Sequence, residues 1–286
     1  MIVMVMIVGV SAASDRMQAR YVQRDDIEYE FGAELGKGAY GAVHEARVRG
    51  SSGPFNLAVK RTLSVDEVDF DRKTTFVERS QKTNRNEFEF MTRSCHSDRV
   101  PGLVRLLDVF ECSDGDTYYV MEKIEGTPLW NLPVKDNAED SAKDLIRYTY
   151  QLLTILHQLH EQGSDHGDVH LDNVITREST DSVVLIDFGV ASRNNNKCGE
   201  DPREALLDIQ LKIKNIQSQL ALDNKSAPPS LDALASVLTP EYQYKYLPSC
   251  SDLLQHSVFE GLFSQDSHQL PLRLSAQINN GCIFRL

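Results

Sequence analysis

His166-Gly167-Asp168-Val169-His170-Leu171-Asp172-Asn173, followed by Val183-Val184-Leu185-Ile186-Asp187-Phe188-Gly189, is the stretch on which the fold turns. The first piece has HxDxxxxN spacing. The second is an apolar strand that ends in DFG, with Asp187 lying 14 residues after Asn173. This pattern has a chemical reading. One carboxylate, Asp168, can accept or orient a hydroxyl proton, while an amide and a second carboxylate, Asn173 and Asp187, can hold Mg²⁺ against phosphate groups.

Immediately upstream the hydrophobic period is helical. Between Asp140 and His160, Leu145, Leu152, Leu156 and Leu159 recur on one face, and Ile146, Tyr150 and Leu153 widen the stripe. His157 and His160 on this helix read as surface or partly buried histidines rather than metal ligands, because no second ligand cluster accompanies them. Before the helix, Glu125-Gly126-Thr127-Pro128 breaks regular structure and reads as a hinge. Ahead of the hinge the period is that of strands. Leu103–Glu111 and Thr117–Ile124 form a hairpin around Ser113-Asp114-Gly115-Asp116.

Further upstream, Glu34-Leu35-Gly36-Lys37-Gly38-Ala39-Tyr40-Gly41-Ala42-Val43 contains GxGxxGxV. Glycines let two strands turn tightly and let backbone N–H groups approach phosphate oxygens. A dinucleotide-binding turn would continue as a helix. Here His44–Val48 continues as a strand and ends in the turn Gly50-Ser51-Ser52-Gly53-Pro54, so the reading is a glycine-rich hairpin. The next strand, Phe55–Lys60, ends in Ala58-Val59-Lys60. Alone, Lys60 is a surface lysine at a strand end; after GxGxxGxV it is a cation placed to meet phosphates. A helix is predicted over Asn84–Arg93. In it Glu87 is followed by Phe90 and Met91 at helical spacing, whereas Glu89 is followed by Thr92 and Arg93. Glu87 is therefore the carboxylate expected to reach Lys60. Chance hardly supplies all these pieces in this order.

The bulk numbers fit one unit of this size. The chain has 286 residues, 41% hydrophobic and 25% charged, with a formal net charge of −12. That acidity argues against nucleic acid as a main partner and is compatible with a basic protein substrate. Cys95, Cys112, Cys198, Cys250 and Cys282 have no CxxC spacing, which points to reduced thiols rather than zinc or disulfides. Met1–Val10 is an uncharged apolar run, too short to span a bilayer as a helix. It reads as an extension or an upstream start. Ser11-Ala12-Ala13 after it leaves a signal peptide open, so the location is cytoplasmic or nuclear with secretion open.

From Phe31 to Ile213 the sequence resembles the eukaryotic protein-kinase family. The resemblance implies an α+β, two-lobed fold. Residues 26–124 would form a small antiparallel-sheet lobe with one helix and residues 125–286 a mainly helical lobe, after an N-terminal extension over 1–25. It implies ATP and Mg²⁺ as cofactors and a protein substrate, while the acidic charge argues for no nucleic acid and the lack of a long apolar segment for no stable membrane insertion. Leu35, Gly36, Lys37, Gly38, Ala39, Tyr40, Gly41, Val43 and Ala58 would surround ATP. Lys60 would pair with its α/β-phosphates and with Glu87. Met121 would be the gatekeeper, and Glu122 and Ile124 would offer backbone groups to adenine. Asp168 would be the catalytic base, and Asn173 and Asp187 the Mg²⁺ ligands.

Four departures qualify that likeness. Gly167 stands where regulated kinases carry Arg, which removes the usual partner of an activation-segment phosphate. His170 stands where Ser/Thr kinases carry a lysine on the γ-phosphate, as in small-molecule phosphotransferases, and joins the candidate catalytic set. No APE follows DFG, and the next helix is predicted over Ala205–Leu220, where Asp208 matches the buried aspartate that braces the catalytic loop. A polar insertion separates Lys60 from Glu87. The expectations are a Ser/Thr-type protein kinase, a small-molecule or Bud32-like atypical kinase, or an ATP-binding pseudokinase.

Overall fold

The computed structural model describes residues 21–38, 41–62, 85–95, 100–112, 116–192, 200–237 and 249–262. The apolar run at 1–10, Ala39, Tyr40, the insertion at 63–84 and the C-terminal tail lie outside them.

The first lobe is one antiparallel sheet in the order β1-β2-β3-β4-β6-β5. Its strands are β1 Tyr21–Arg24, β2 Ile27–Gly38, β3 Gly41–Val48, β4 Leu57–Thr62, β5 Leu106–Glu111 and β6 Thr117–Glu122. β1 falls inside the span read as an extension. It pairs with β2 across Asp25, whose φ of 49° suits a tight hairpin. The glycine-rich stretch is a hairpin, with Gly38 opposite Gly41. A Cβ on Gly41 would lie 2.0 Å from the Arg61 carbonyl oxygen, so this glycine is required by the neighbouring strand.

The two faces of the sheet carry separate apolar clusters, and strand alternation divides the residues between them. In β6, Tyr118 and Val120 join Val22, Tyr29, Ala46, Val59 and Phe110 in a small outer core. Tyr118 and Phe110 stack there at 5.4 Å, and Phe110 and Tyr29 at 5.9 Å. Tyr119 and Met121 face the other way, into the main core with Phe90, Met91 and Leu106. Phe90 closes a helical stretch over residues 85–90, α1, which runs on into a wider turn at Met91–Cys95.

The second lobe begins with a three-stranded sheet, β7 Gly126–Pro128, β8 Val174–Arg177 and β9 Ser182–Leu185. The expected break at residues 125–128 is thus a short strand: the β8 edge supplies hydrogen-bond partners that sequence pattern cannot display. Behind it runs α2, Ala138–Glu161, capped by Asn137, whose side chain accepts from the Glu139 N–H. Its predicted stripe, Leu145, Leu152, Leu156 and Leu159, is buried. α2 packs on β9, on α4 (Pro229–Ser236) and on α5 (Cys250–Leu254). Between β9 and α4 comes α3, Glu200–Leu222, which starts a turn earlier than its apolar stripe suggests. Leu206, Ile209, Ile213, Ile216 and Leu220 are all buried. Buried Lys212 ties α3 to the turn at Leu129–Asn131 by donating to the carbonyls of Trp130 at 2.5 Å and Leu132 at 2.8 Å. No helix among the described residues is long and apolar enough to cross a membrane.

Candidate active site

Strand register decides where Lys60 points. Val59 pairs with Val120 on the outer face, so Lys60, opposite Tyr119, and Ala58, opposite Met121, share the inner face. Val43 lies opposite Lys60 and belongs to that face as well. Met121 and Ala58 are buried, and Leu35 is exposed. The Glu122 N–H is taken by the Arg105 carbonyl at 3.1 Å, and its carboxylate accepts from the Arg105 N–H at 3.0 Å and from Arg177 at 3.2 Å.

From the inner face the Lys60 ammonium meets two carboxylates, Glu87 Oε1 at 2.7 Å and Asp187 Oδ1 at 2.8 Å. Glu87 is therefore the α1 carboxylate that reaches Lys60, and Glu89 makes only an exposed pair with Arg85 at 3.3 Å. The contact with Asp187 was not foreseen from sequence; it follows from β9 delivering Asp187 beneath β4. One ammonium serves two acids of unequal burial. Burial would lower Lys60, but Glu87 and Asp187 outweigh it and hold the ammonium above its ordinary range. Burial likewise opposes the charge on Asp187, yet Lys60 holds that carboxyl below its usual range. Glu87, only 1% exposed, is pushed up by burial against the pull of Lys60.

Asp187 has a φ of 61°, a conformation that L-residues other than Gly, Asn and Asp seldom adopt. Phe188 after it is fully buried, stacked on Phe90 at 4.6 Å and edge-on to His166 at 5.0 Å. These contacts fix the strained position from both lobes. Asp187 and Asn173 leave the two ends of the β8–β9 hairpin, where the Ile186 N–H donates to the Asn173 carbonyl at 2.9 Å. The Asn173 amide nitrogen donates to the Asp168 carbonyl at 3.0 Å and carboxylate at 3.2 Å. With its nitrogen so engaged, Asn173 offers its amide oxygen, and Asp187 its carboxylate, as oxygen donors. An all-oxygen donor set of this kind suits Mg²⁺.

His166 is completely buried and held neutral by that burial. Its Nδ1 accepts from the Asp168 N–H at 3.3 Å, so Nε2 carries the proton and donates to the Ile186 carbonyl at 3.0 Å. His170 sits between two acids, Nε2 at 3.0 Å from Asp168 Oδ1 and Nδ1 at 3.5 Å from Asp208 Oδ2. Gly167 adopts φ 81°, and a Cβ there would lie 2.8 Å from the Val190 carbonyl oxygen. Backbone geometry thus favours glycine at this position, apart from what its lack of charge does.

The expectation for Asp208 holds in part: it accepts from the Leu171 N–H of the loop at 3.0 Å, but it is only half-buried, and the buried aspartate is a different one. The aspartate beneath the catalytic loop is Asp201, 1% exposed, which accepts from the His166 N–H at 2.7 Å and the Gly167 N–H at 2.8 Å. His160 Nε2 lies 3.2 Å from the same carboxylate. Burial would raise the Asp201 carboxyl, but these bonds outweigh it and hold it below the usual range. His160, Asp165 and Asp201 also bring potential ligand atoms within 4.8 Å of one another, so a cluster does accompany His160. Asp201, however, is already committed to the loop. The signal for it was Glu200-Asp201-Pro202, an acid and a proline in a first helical turn.

A family model of the protein kinase domain matches residues 29–204. A probable myosin light chain kinase of Dictyostelium discoideum is 30% identical over 166 residues, 57% of this chain and 46% of that protein. CBL-interacting protein kinase 11 of Oryza sativa subsp. japonica is 27% identical over 173 residues, 59% of this chain and 30% of that protein. NUAK family SNF1-like kinase 2 of Rattus norvegicus is 27% identical over 164 residues, 57% of this chain and 23% of that protein. In each case the match spans less than half of the relative's length.

Proposed function

The chain belongs to the protein kinase domain family, and we propose that within it this protein is an ATP-dependent phosphotransferase of the Ser/Thr protein kinase type. The observation that carries the reading is the convergence of Lys60, Glu87 and Asp187 at one point, with Asp168 and Asn173 tied together next to it. Val43, Ala58 and Met121 would receive the adenine ring. The Gly36–Gly41 hairpin would cover the phosphates, and Lys60, oriented by Glu87, would bind them. Asp187 and Asn173 would hold Mg²⁺, which when bound neutralises charge on the phosphates. Asp168 would orient the acceptor hydroxyl and take its proton, and Asn173 keeps that carboxylate in place. Positioning and charge stabilisation then carry the rate.

A second reading, a small-molecule or Bud32-like acceptor, is favoured by one observation. Asp201 on α3 follows Asp187 by only 14 residues, which leaves little chain for a peptide-docking platform. Labelled Mg-ATP offered with a panel of proteins and small alcohols separates the two. Label on Ser or Thr of proteins supports the first reading, and label on small alcohols alone replaces it with the second. ATP binding without transfer to any acceptor would make the protein a nucleotide-binding pseudokinase.

A further inference from the structure

We propose that Glu204 and Asp208 are positioning residues that hold the catalytic loop by its backbone amides; the proposal rests on the kinase reading above. The loop from His166 to Asn173 lies outside helix and strand except for one turn, so its N–H groups need other acceptors. Two are satisfied locally: His170 N–H donates to the Asp168 carbonyl at 3.0 Å and Asn173 N–H to the His170 carbonyl at 2.8 Å. Asp168 N–H uses the ring of His166. Four others go to one helix. Asp201 takes His166 and Gly167, Glu204 Oε2 takes Val169 at 3.3 Å, and Asp208 Oδ2 takes Leu171 at 3.0 Å.

The spacing of 201, 204 and 208 is that of one helix face. α3 thus presents a ladder of carboxylates, one to each turn, to the underside of the loop. Asp201 also lies in the first turn, where the helix dipole favours negative charge. The ladder grips main chain, so its bonds to the loop do not occupy the Asp168 carboxylate. Asp208 does more: its Oδ2 faces His170 Nδ1, and the same ring presents Nε2 to Asp168. Gly167 offers no cation to an activation segment, so the loop's geometry is set from below by α3 and not by phosphorylation.

The test uses the full chain and the variants Glu204→Ala, Glu204→Gln, Asp208→Ala and Asp208→Asn. Arg203→Ala, exposed on the same helix, is the control. Two quantities are read: kcat and KM for ATP, and hydrogen exchange at the Val169 and Leu171 amides. Each alanine variant should lower kcat roughly ten-fold with KM for ATP within about two-fold, since one charge-assisted bond to the loop is lost. Exchange should rise at Val169 in Glu204→Ala and at Leu171 in Asp208→Ala. Glu204→Gln and Asp208→Asn keep an acceptor oxygen and should restore protection and most of kcat. Unchanged exchange in both alanine variants overturns the proposal, as does a kcat equal to that of Arg203→Ala. Faster exchange in a chain whose wild type transfers no phosphate would overturn the kinase reading and reduce the ladder to a structural brace.

Discussion

Replacing Asp201 by alanine removes the acceptor of the buried His166 N–H and of the N–H of exposed Gly167, and the partner of His160. Each buried N–H left unsatisfied costs about 1–3 kcal/mol. The loss is therefore roughly 1–3 kcal/mol from the His166 N–H and less from that of Gly167, which water can reach, against the about 5–15 kcal/mol that stabilises a typical domain. Asp201→Asn keeps one oxygen and turns an NH₂ towards the second N–H, so it should lose about half as much. The sign of the pH dependence follows from a folded-state carboxyl held below its unfolded value. Its contribution is present above about pH 4 and disappears as pH falls through the folded value. Urea denaturation of the wild type and both variants, from about pH 7 to about pH 3, measures this. The wild type should lose stability towards acid more steeply than either variant, and all three should converge. An Asp201→Ala protein as stable as wild type at neutral pH would refute the reasoning. So would Asp208→Ala costing as much as Asp201→Ala, because Asp208 satisfies only one backbone N–H.

Three further outcomes are expected. Gly167→Ala should lose about 1–2 kcal/mol from the left-handed φ alone and more from the Val190 carbonyl, read as a lower thermal midpoint; Gly167→Arg should fare no better and should not make activity depend on phosphorylation. Lys60→Met strands Glu87 as an unpaired buried carboxylate, at a cost of about 3–5 kcal/mol near neutral pH. Since burial raises the folded carboxyl of Glu87, that cost should shrink as pH falls and the group takes up a proton, so denaturation curves of wild type and variant should approach each other as pH falls from neutral towards the ordinary glutamate range, about pH 4. Glu87→Ala should cut phosphate transfer by at least about 100-fold, whereas Glu89→Ala, which removes an exposed helix pair, should change stability by under about 0.5 kcal/mol and leave kcat alone.

Much of this geometry was legible in the residues. The face of Lys60 follows from strand alternation once β4 and β6 are paired. The choice of Glu87 over Glu89 follows from helical spacing to Phe90 and Met91, both buried. The glycine hairpin and the Asp168–Asn173 and Asp187 motifs are local patterns, and local patterns survive into structure. What sequence did not reveal depends on distant chain. The β7 strand exists only because β8 lies beside it. The Lys60–Asp187 contact joins residues from two lobes. Asp201 was missed because the apolar stripe of α3 begins at Ala205, behind an acidic first turn that makes no hydrophobic signal. The amide-binding role of Glu204 was invisible for a related reason: it recognises main chain, and main chain has no sequence signature.

Phosphate transfer by the wild type beside Asp168→Asn, with ATP affinity measured on the same preparations, bears most directly on the proposed chemistry. Asp168 makes no contact with the Lys60 cluster and is tied instead to Asn173 and His170. Asp168→Asn should therefore bind Mg-ATP within about two-fold of wild type while losing transfer by about 100-fold or more. Equal transfer by Asp168→Asn and the wild type would contradict the assignment of Asp168 as the group that handles the acceptor proton, and with it the phosphotransferase mechanism proposed for this site.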